Sequence, residues 1–176
     1  MGESALSKDV TTGIFTQSSF EYLLNRKLEL AEANAENIGL LLLDPDDLAI
    51  LSTQEERAVD ILMKEVALRL KSCLRASDVI AHFEGNQFAI ILDEIENPDA
   101  PARVARKIIQ SLGCSYPIDR IAIELSCSVG IACASPFEVN DVQLVKRAQK
   151  ALANAKAEGG YQFHYYIEFL DRLSGK

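Results

Sequence analysis

The run Ile38-Gly-Leu-Leu-Leu-Leu43, stopped at once by Asp44-Pro-Asp-Asp47, constrains this chain more than any other stretch. A short apolar run without polar alternation, ended by a turn signal, reads as a strand covered on both faces. Such a strand needs helices above and below it, so its flanking segments must supply them. Phe20 to Ala33 carries Leu23, Leu24, Leu28 and Leu30 near helical spacing. Glu55 to Leu74 sets Val59, Leu62, Met63, Val66, Leu70 and Leu74 along one side. Val79–Phe83 and Phe88–Leu92 flank Glu84-Gly-Asn-Gln87 as the arms of a hairpin flank its turn. Pro101 opens a third helix that runs to about Leu112, and Gly113 is the residue expected to close it. Ile121 to Ala134 is strand-rich, Val142 to Ala157 is a fourth helix ended by Gly159-Gly160, and Tyr161 to Tyr166 reads as a last strand.

The centre of that order is β-α-β-β-α-β. It predicts an α+β domain with a ferredoxin-like core, a central mainly antiparallel sheet and helices on both faces. A length of 176 residues suits one such core. Residues 1–8 read as an extension or linker, 9–166 as the domain, and 167–176 as a tail or linker toward a possible further domain. The balance of 18 Lys and Arg against 26 Asp and Glu gives a net charge of −8, which argues against nucleic acid as a partner. No apolar run approaches the roughly 18 residues of a membrane span, and MGESALSKDV has no apolar signal region. A cytoplasmic setting is therefore expected. Cys73, Cys114, Cys127 and Cys133 form no C-x-x-C, and His82 and His164 are the only histidines. Structural zinc is not expected, and the thiols are assigned to core packing.

Two acidic places meet at one end of this sheet. Asp44 ends the first strand, and the Glu84-to-Gln87 tip ends the hairpin that lies beside it. Converging carboxylates there would hold Mg²⁺ against a triphosphate, as phosphoryl and nucleotidyl transfer require. The same residues also suit a solvated acidic turn.

Six segments in order resemble the GGDEF domain of diguanylate cyclases, which join two GTP molecules into cyclic di-GMP. Asp9-Val-Thr-Thr-Gly-Ile14 followed by Phe20 is similar to the entry motif D-x-L-T-G-L…F. Leu41-Leu-Leu-Asp-Pro-Asp46 is similar to the first strand and metal turn. Arg75-Ala-Ser-Asp78 and Val79-Ile-Ala-His-Phe83 resemble the lead-in to the signature hairpin. Ser126-Cys-Ser-Val-Gly-Ile131 resembles the S-x-G-I/V strand, and Ala148 to Lys156 the A-D-x-A-L-Y-x-A-K helix. The resemblance runs from about Asp9 to Tyr166.

Against that pattern the signature reads Glu84-Gly85-Asn86-Gln87-Phe88 instead of G-G-D/E-E-F. Glu84 sets an anionic side chain where a glycine would let the backbone approach phosphates. Asn86 is neutral where a metal carboxylate stands, and Gln87 neutralises the next position. Leu48-Ala49 replaces a phenylalanine-lysine pair, so a phosphate-contacting lysine is missing. Glu55-Glu56 stands where Gly-His is expected, and Leu51 or Ser52 where a guanine-reading Asn belongs. Gly160 replaces an arginine four residues after Lys156. Asp60 and Lys156 remain as nucleotide-binding remnants, and Asp44 as a single metal carboxylate.

The resemblance also implies a product site. An R-x-x-D motif ending five residues before the signature binds cyclic di-GMP in many cyclases, and Arg75-x-x-Asp78 stands five residues before Glu84. Arginine grips a guanine edge or a phosphate bidentately while Asp accepts from guanine. Arg103 and Lys107 are candidates for its second basic group. The expectation is a catalytically inactive GGDEF-like module that binds cyclic di-GMP or regulates an adjoining EAL-type or sensor domain or a partner protein. No cofactor is expected, and Mg²⁺ only if the residual site works. The alternatives are a weak cyclase using Asp44, and a nucleotide-free interaction or homodimerisation module.

Overall fold

The computed structural model describes residues 6–46 and 56–168. The elements are α1 (Gln17–Asn34), β1 (Ile38–Pro45), α2 (Glu56–Cys73), β2 (Val79–His82) and β3 (Phe88–Leu92). They continue as α3 (Ala100–Leu112), β4 (Tyr116–Ile118), β5 (Ile121–Ile123), β6 (Cys127–Ala134), α4 (Asp141–Ala157) and β7 (Phe163–Tyr165). The main sheet has the order β2-β3-β1-β6-β7, and β4 and β5 form a separate hairpin. β1 runs antiparallel to β3 and β6, β2 antiparallel to β3, and β7 joins in parallel on β6. The expected βαββαβ core is thus present, with helices on both faces.

The unalternating pattern of β1 follows from its central place. Leu41 and Leu43 enter a core with α2 and α3, while Leu40 and Leu42 enter a second core with α1 and α4. All four are 0% exposed, each contributing about 2 kcal/mol by burial. Gly130 lets α4 lie against β6, because a Cβ there would stand 2.3 Å from the Ala148 carbonyl oxygen and the Leu152 nitrogen. That is a backbone-to-backbone approach that no side chain permits.

Four local expectations need correction. Leu30 lies on the outer side of α1; Phe20, Leu24, Leu28 and Ala31 form its inner face. Gly113 closes α3 as expected, but in a right-handed conformation at φ −71° that does not itself require glycine. Its small size matters instead, since a Cβ would come within 3.0 Å of the Tyr161 hydroxyl. Strand β4 was not foreseen in the sequence; it carries Pro117 and sits in a two-stranded ribbon. Cys73 and Cys127 are buried as expected, but Cys114 and Cys133 are exposed.

Candidate functional site

The signature hairpin closes as a tight turn. The Gln87 N–H donates to the Glu84 carbonyl at 3.1 Å and the Phe83 N–H to the Gln87 carbonyl at 2.9 Å. Gly85 has φ +60°, the conformation a two-residue hairpin asks of its first central residue. Phe88 is buried beneath it, its ring 5.5 Å from that of His82. Since β1 pairs with β3, this tip lies beside the end of β1, where Asp44 stands.

Asp44 is already provided for. Its Oδ2 accepts from the Gln87 side-chain amide at 3.0 Å and forms an ion pair with the Lys156 ammonium at the end of α4. Lys156 is 42% exposed and Asp44 17%. A helix C-terminus also favours a lysine. Signature hairpin, first strand and last helix therefore converge on one carboxylate.

Asp46, two residues on, holds the frame. Its carboxylate accepts from the Ser126 hydroxyl at 2.7 Å and the Ser128 hydroxyl at 2.8 Å. The Tyr161 N–H adds a longer contact at 3.4 Å, and the Asp46 N–H donates to the Ser126 carbonyl at 3.0 Å. Gly160, at φ +73°, packs against this carboxylate; a Cβ there would lie 3.3 Å from both Asp46 Oδ2 and Ser128 Oγ. Asp46 thus ties the turn after α4 to the start of β6 and so places Lys156. Sequence reasoning overlooked this role. The signal was available in Ser126 and Ser128, two residues apart and hence on one side of an extended chain. Behind them the Cys127 thiol is fully buried, and burial, aided by the Asp46 and Asp44 charges, pushes its pKa far up. It is an inert core thiol.

A magnesium ion requires several converging oxygen ligands. Among the described residues no group of three or more His, Cys, Asp and Glu side chains is placed to hold a metal. Among the described residues the neighbours of Asp44 are an ammonium and an amide donor, which satisfy a carboxylate from within and do not fit a divalent cation. Asp60 is exposed on α2 and is not joined to this cluster among the described residues. Leu48, Ala49, Leu51, Ser52 and Glu55 lie outside the described residues.

Arg75 and Asp78 sit at the opposite end of β2. The Asp78 carboxylate accepts the Arg75 N–H at 2.8 Å and its guanidinium at 3.3 Å. The guanidinium also donates to the Asp93 carbonyl at 3.0 Å. Asp78 is only 1% exposed, whereas Arg75 is 58% exposed. The Lys107 ammonium donates to the Ser72 carbonyl at 3.3 Å, just before this turn, and Arg103 lies one helical turn away on the same side of α3. Unforeseen in the sequence, Lys27 of α1 pairs with Asp93 beside them.

A family model described as "Diguanylate cyclase, GGDEF domain" matches residues 6–162. The chain belongs to the GGDEF family. The GGDEF domain of TpbB (YfiN) from Pseudomonas aeruginosa superposes with a TM-score of 0.87 at 25% identity, covering 97% of this chain and 100% of that one. MucR of P. aeruginosa, a bifunctional diguanylate cyclase and cyclic di-GMP phosphodiesterase, is 31% identical over 148 residues, 80% of this chain and 22% of MucR. PdeR of Escherichia coli, a cyclic di-GMP phosphodiesterase, is 27% identical over 156 residues, 88% of this chain and 23% of PdeR. The chain thus spans about a fifth of the length of these curated relatives.

Proposed function

We propose that this GGDEF domain is a regulatory module of cyclic di-GMP signalling that does not itself join GTP. The observation that carries this reading is the closure of Asp44 by Lys156 and Gln87. A cyclase must direct both a metal carboxylate and a phosphate lysine at the nucleotide. Here the surviving pair of these groups satisfies itself, and the signature positions that would reopen it are the neutral Asn86 and Gln87. Relatives that include a bifunctional enzyme and a phosphodiesterase support a place beside an EAL-type output domain. Purified protein incubated at high concentration with GTP and Mg²⁺ or Mn²⁺ should give no cyclic di-GMP. Turnover that disappears in Asp44→Asn would overturn the reading in favour of a weak cyclase.

A second element of the proposal rests on the exposure of Arg75. Its guanidinium, with Lys107 and Arg103 near the same turn, offers positive charge to cyclic di-GMP. Asp78 is spent inside the turn, so guanine would lose that acceptor unless the turn opens. The expected affinity is accordingly weak, with Arg75→Ala abolishing it and Asp44→Asn leaving it unchanged in calorimetric titration. A wild-type domain that gives no heat with cyclic di-GMP would leave Arg75–Asp78 as a structural clamp alone.

A further inference from the structure

A groove on the α1–α4 face takes no part in that reading. It lies between the first turns of these helices, beside the signature hairpin, with a volume of about 340 Å³. That is the small end of the roughly 300–1,000 Å³ seen for binding pockets. Phe20 and Phe83, packed edge to face, form its floor, and Val142 and Val145 one wall. Val142 is 56% exposed on the first turn of α4. The rim carries Glu21, Glu84 and Asp141 against Lys146, the only base lining it among the described residues.

The charge of the rim decides the class of occupant. Helix N-termini ordinarily attract anions. Both are capped here: Thr16 accepts from the Ser19 N–H, and Asn140 and Gln143 close a reciprocal capping box. Their free N–H groups are therefore partly spent, and the carboxylates dominate. A second copy docking face to face would bring the same acids together, which a two-fold interface cannot relieve. We propose that the groove docks a basic amphipathic helix of a partner protein. Its apolar residues would lie on Phe83 and Val142, and its Lys and Arg would meet Glu21, Glu84 and Asp141. The net charge of −8 favours the encounter. Glu84 gives the site a mark of this chain, since it replaces the first glycine of the signature.

Fluorescence anisotropy tests this with a labelled synthetic helix that has leucines at three- and four-residue spacing and lysines elsewhere. The same helix with glutamates in place of the lysines serves as the control. The basic helix should bind with strong salt dependence, and the acidic helix should not. Val142→Lys should weaken binding by roughly tenfold, as loss of an interface anchor does. Glu84→Gly should weaken it several-fold. Both substitutions are at exposed positions, and urea midpoints equal to wild type verify the fold. Binding that ignores both substitutions, equal binding of the acidic helix, or no binding would overturn the proposal. Concentration-dependent dimerisation in sedimentation, lost in Val142→Lys, would assign the groove to a second copy instead.

Discussion

The two ends of the β2–β3 hairpin each hold an acid–base pair, and they divide exposure differently. At the tip, Asp44 and Lys156 are both partly open, at 17% and 42%. At the far end, Asp78 is sealed at 1% and Arg75 stands out at 58%. The tip pair cancels locally because both partners are side chains at element ends with room to meet. The far pair has an asymmetric result: its anion serves the backbone turn, and its cation faces solvent. Arg75 is thus the more exposed cation of the two, against a carboxylate that is almost wholly covered.

Stability measurements would break this comparison first at the carboxylates that serve the frame. Asp46→Ala leaves the buried Ser128 hydroxyl and the Ser126 hydroxyl without their acceptor. A loss of about 2–3 kcal/mol is expected in urea unfolding, the usual cost of stranding buried polar groups. Asp78→Ala strips the Arg75 N–H and the helix-to-strand turn of a buried acceptor, and about 1–3 kcal/mol should follow. Asp44→Asn should cost under about 1 kcal/mol, since a half-open ion pair is screened by water. If Asp44→Asn proved as damaging as Asp46→Ala, the two carboxylates would have exchanged roles.

The smallest effect sharpens the picture at the entry turn. Backbone N–H donation from Thr12, the largest cause, holds Asp9 below its ordinary value of 3.8, with the Thr12 hydroxyl and nearby His82 assisting. A depressed carboxylate contributes stability that is complete above its unfolded pKa and fades as pH falls through its folded one. The melting temperature should therefore drop slightly more below pH 4 in wild type than in Asp9→Asn. Identical acid slopes in the two proteins would show that the Asp9 carboxylate adds nothing to stability.

Much of this architecture is written in local pattern. The leucine run of β1, the helical spacing of Leu62, Val66 and Leu70, and Pro101 at the start of α3 each point to one backbone state. What stayed hidden depends on who meets whom. That Asp46 rather than Asp44 takes the serine hydroxyls depends on the pairing of β1 with β6, a contact between residues about eighty apart. The meeting of Gln87 and Lys156 on Asp44 likewise needs three distant elements to converge. Spacing brought Asp44 near the hairpin but could not say that its neighbours would be donors. The sealing of Asp78 and the partnership of Lys27 with Asp93 were invisible for the same reason.

The absent side chain at Gly130 gives α4 a mechanical character. At Gly130 the helix meets its strand backbone to backbone, and that contact resists sliding more than the side-chain packing of Leu144 and Leu152 beside it. Its seventeen residues form a rod of about 25 Å, with Lys156 near one tip and Val142 at the other. Gly130 lies beneath Ala148 and Leu152, between those tips. A side chain at position 130 would have to lift the middle of the helix off its strand, and both tips would lose their seat together.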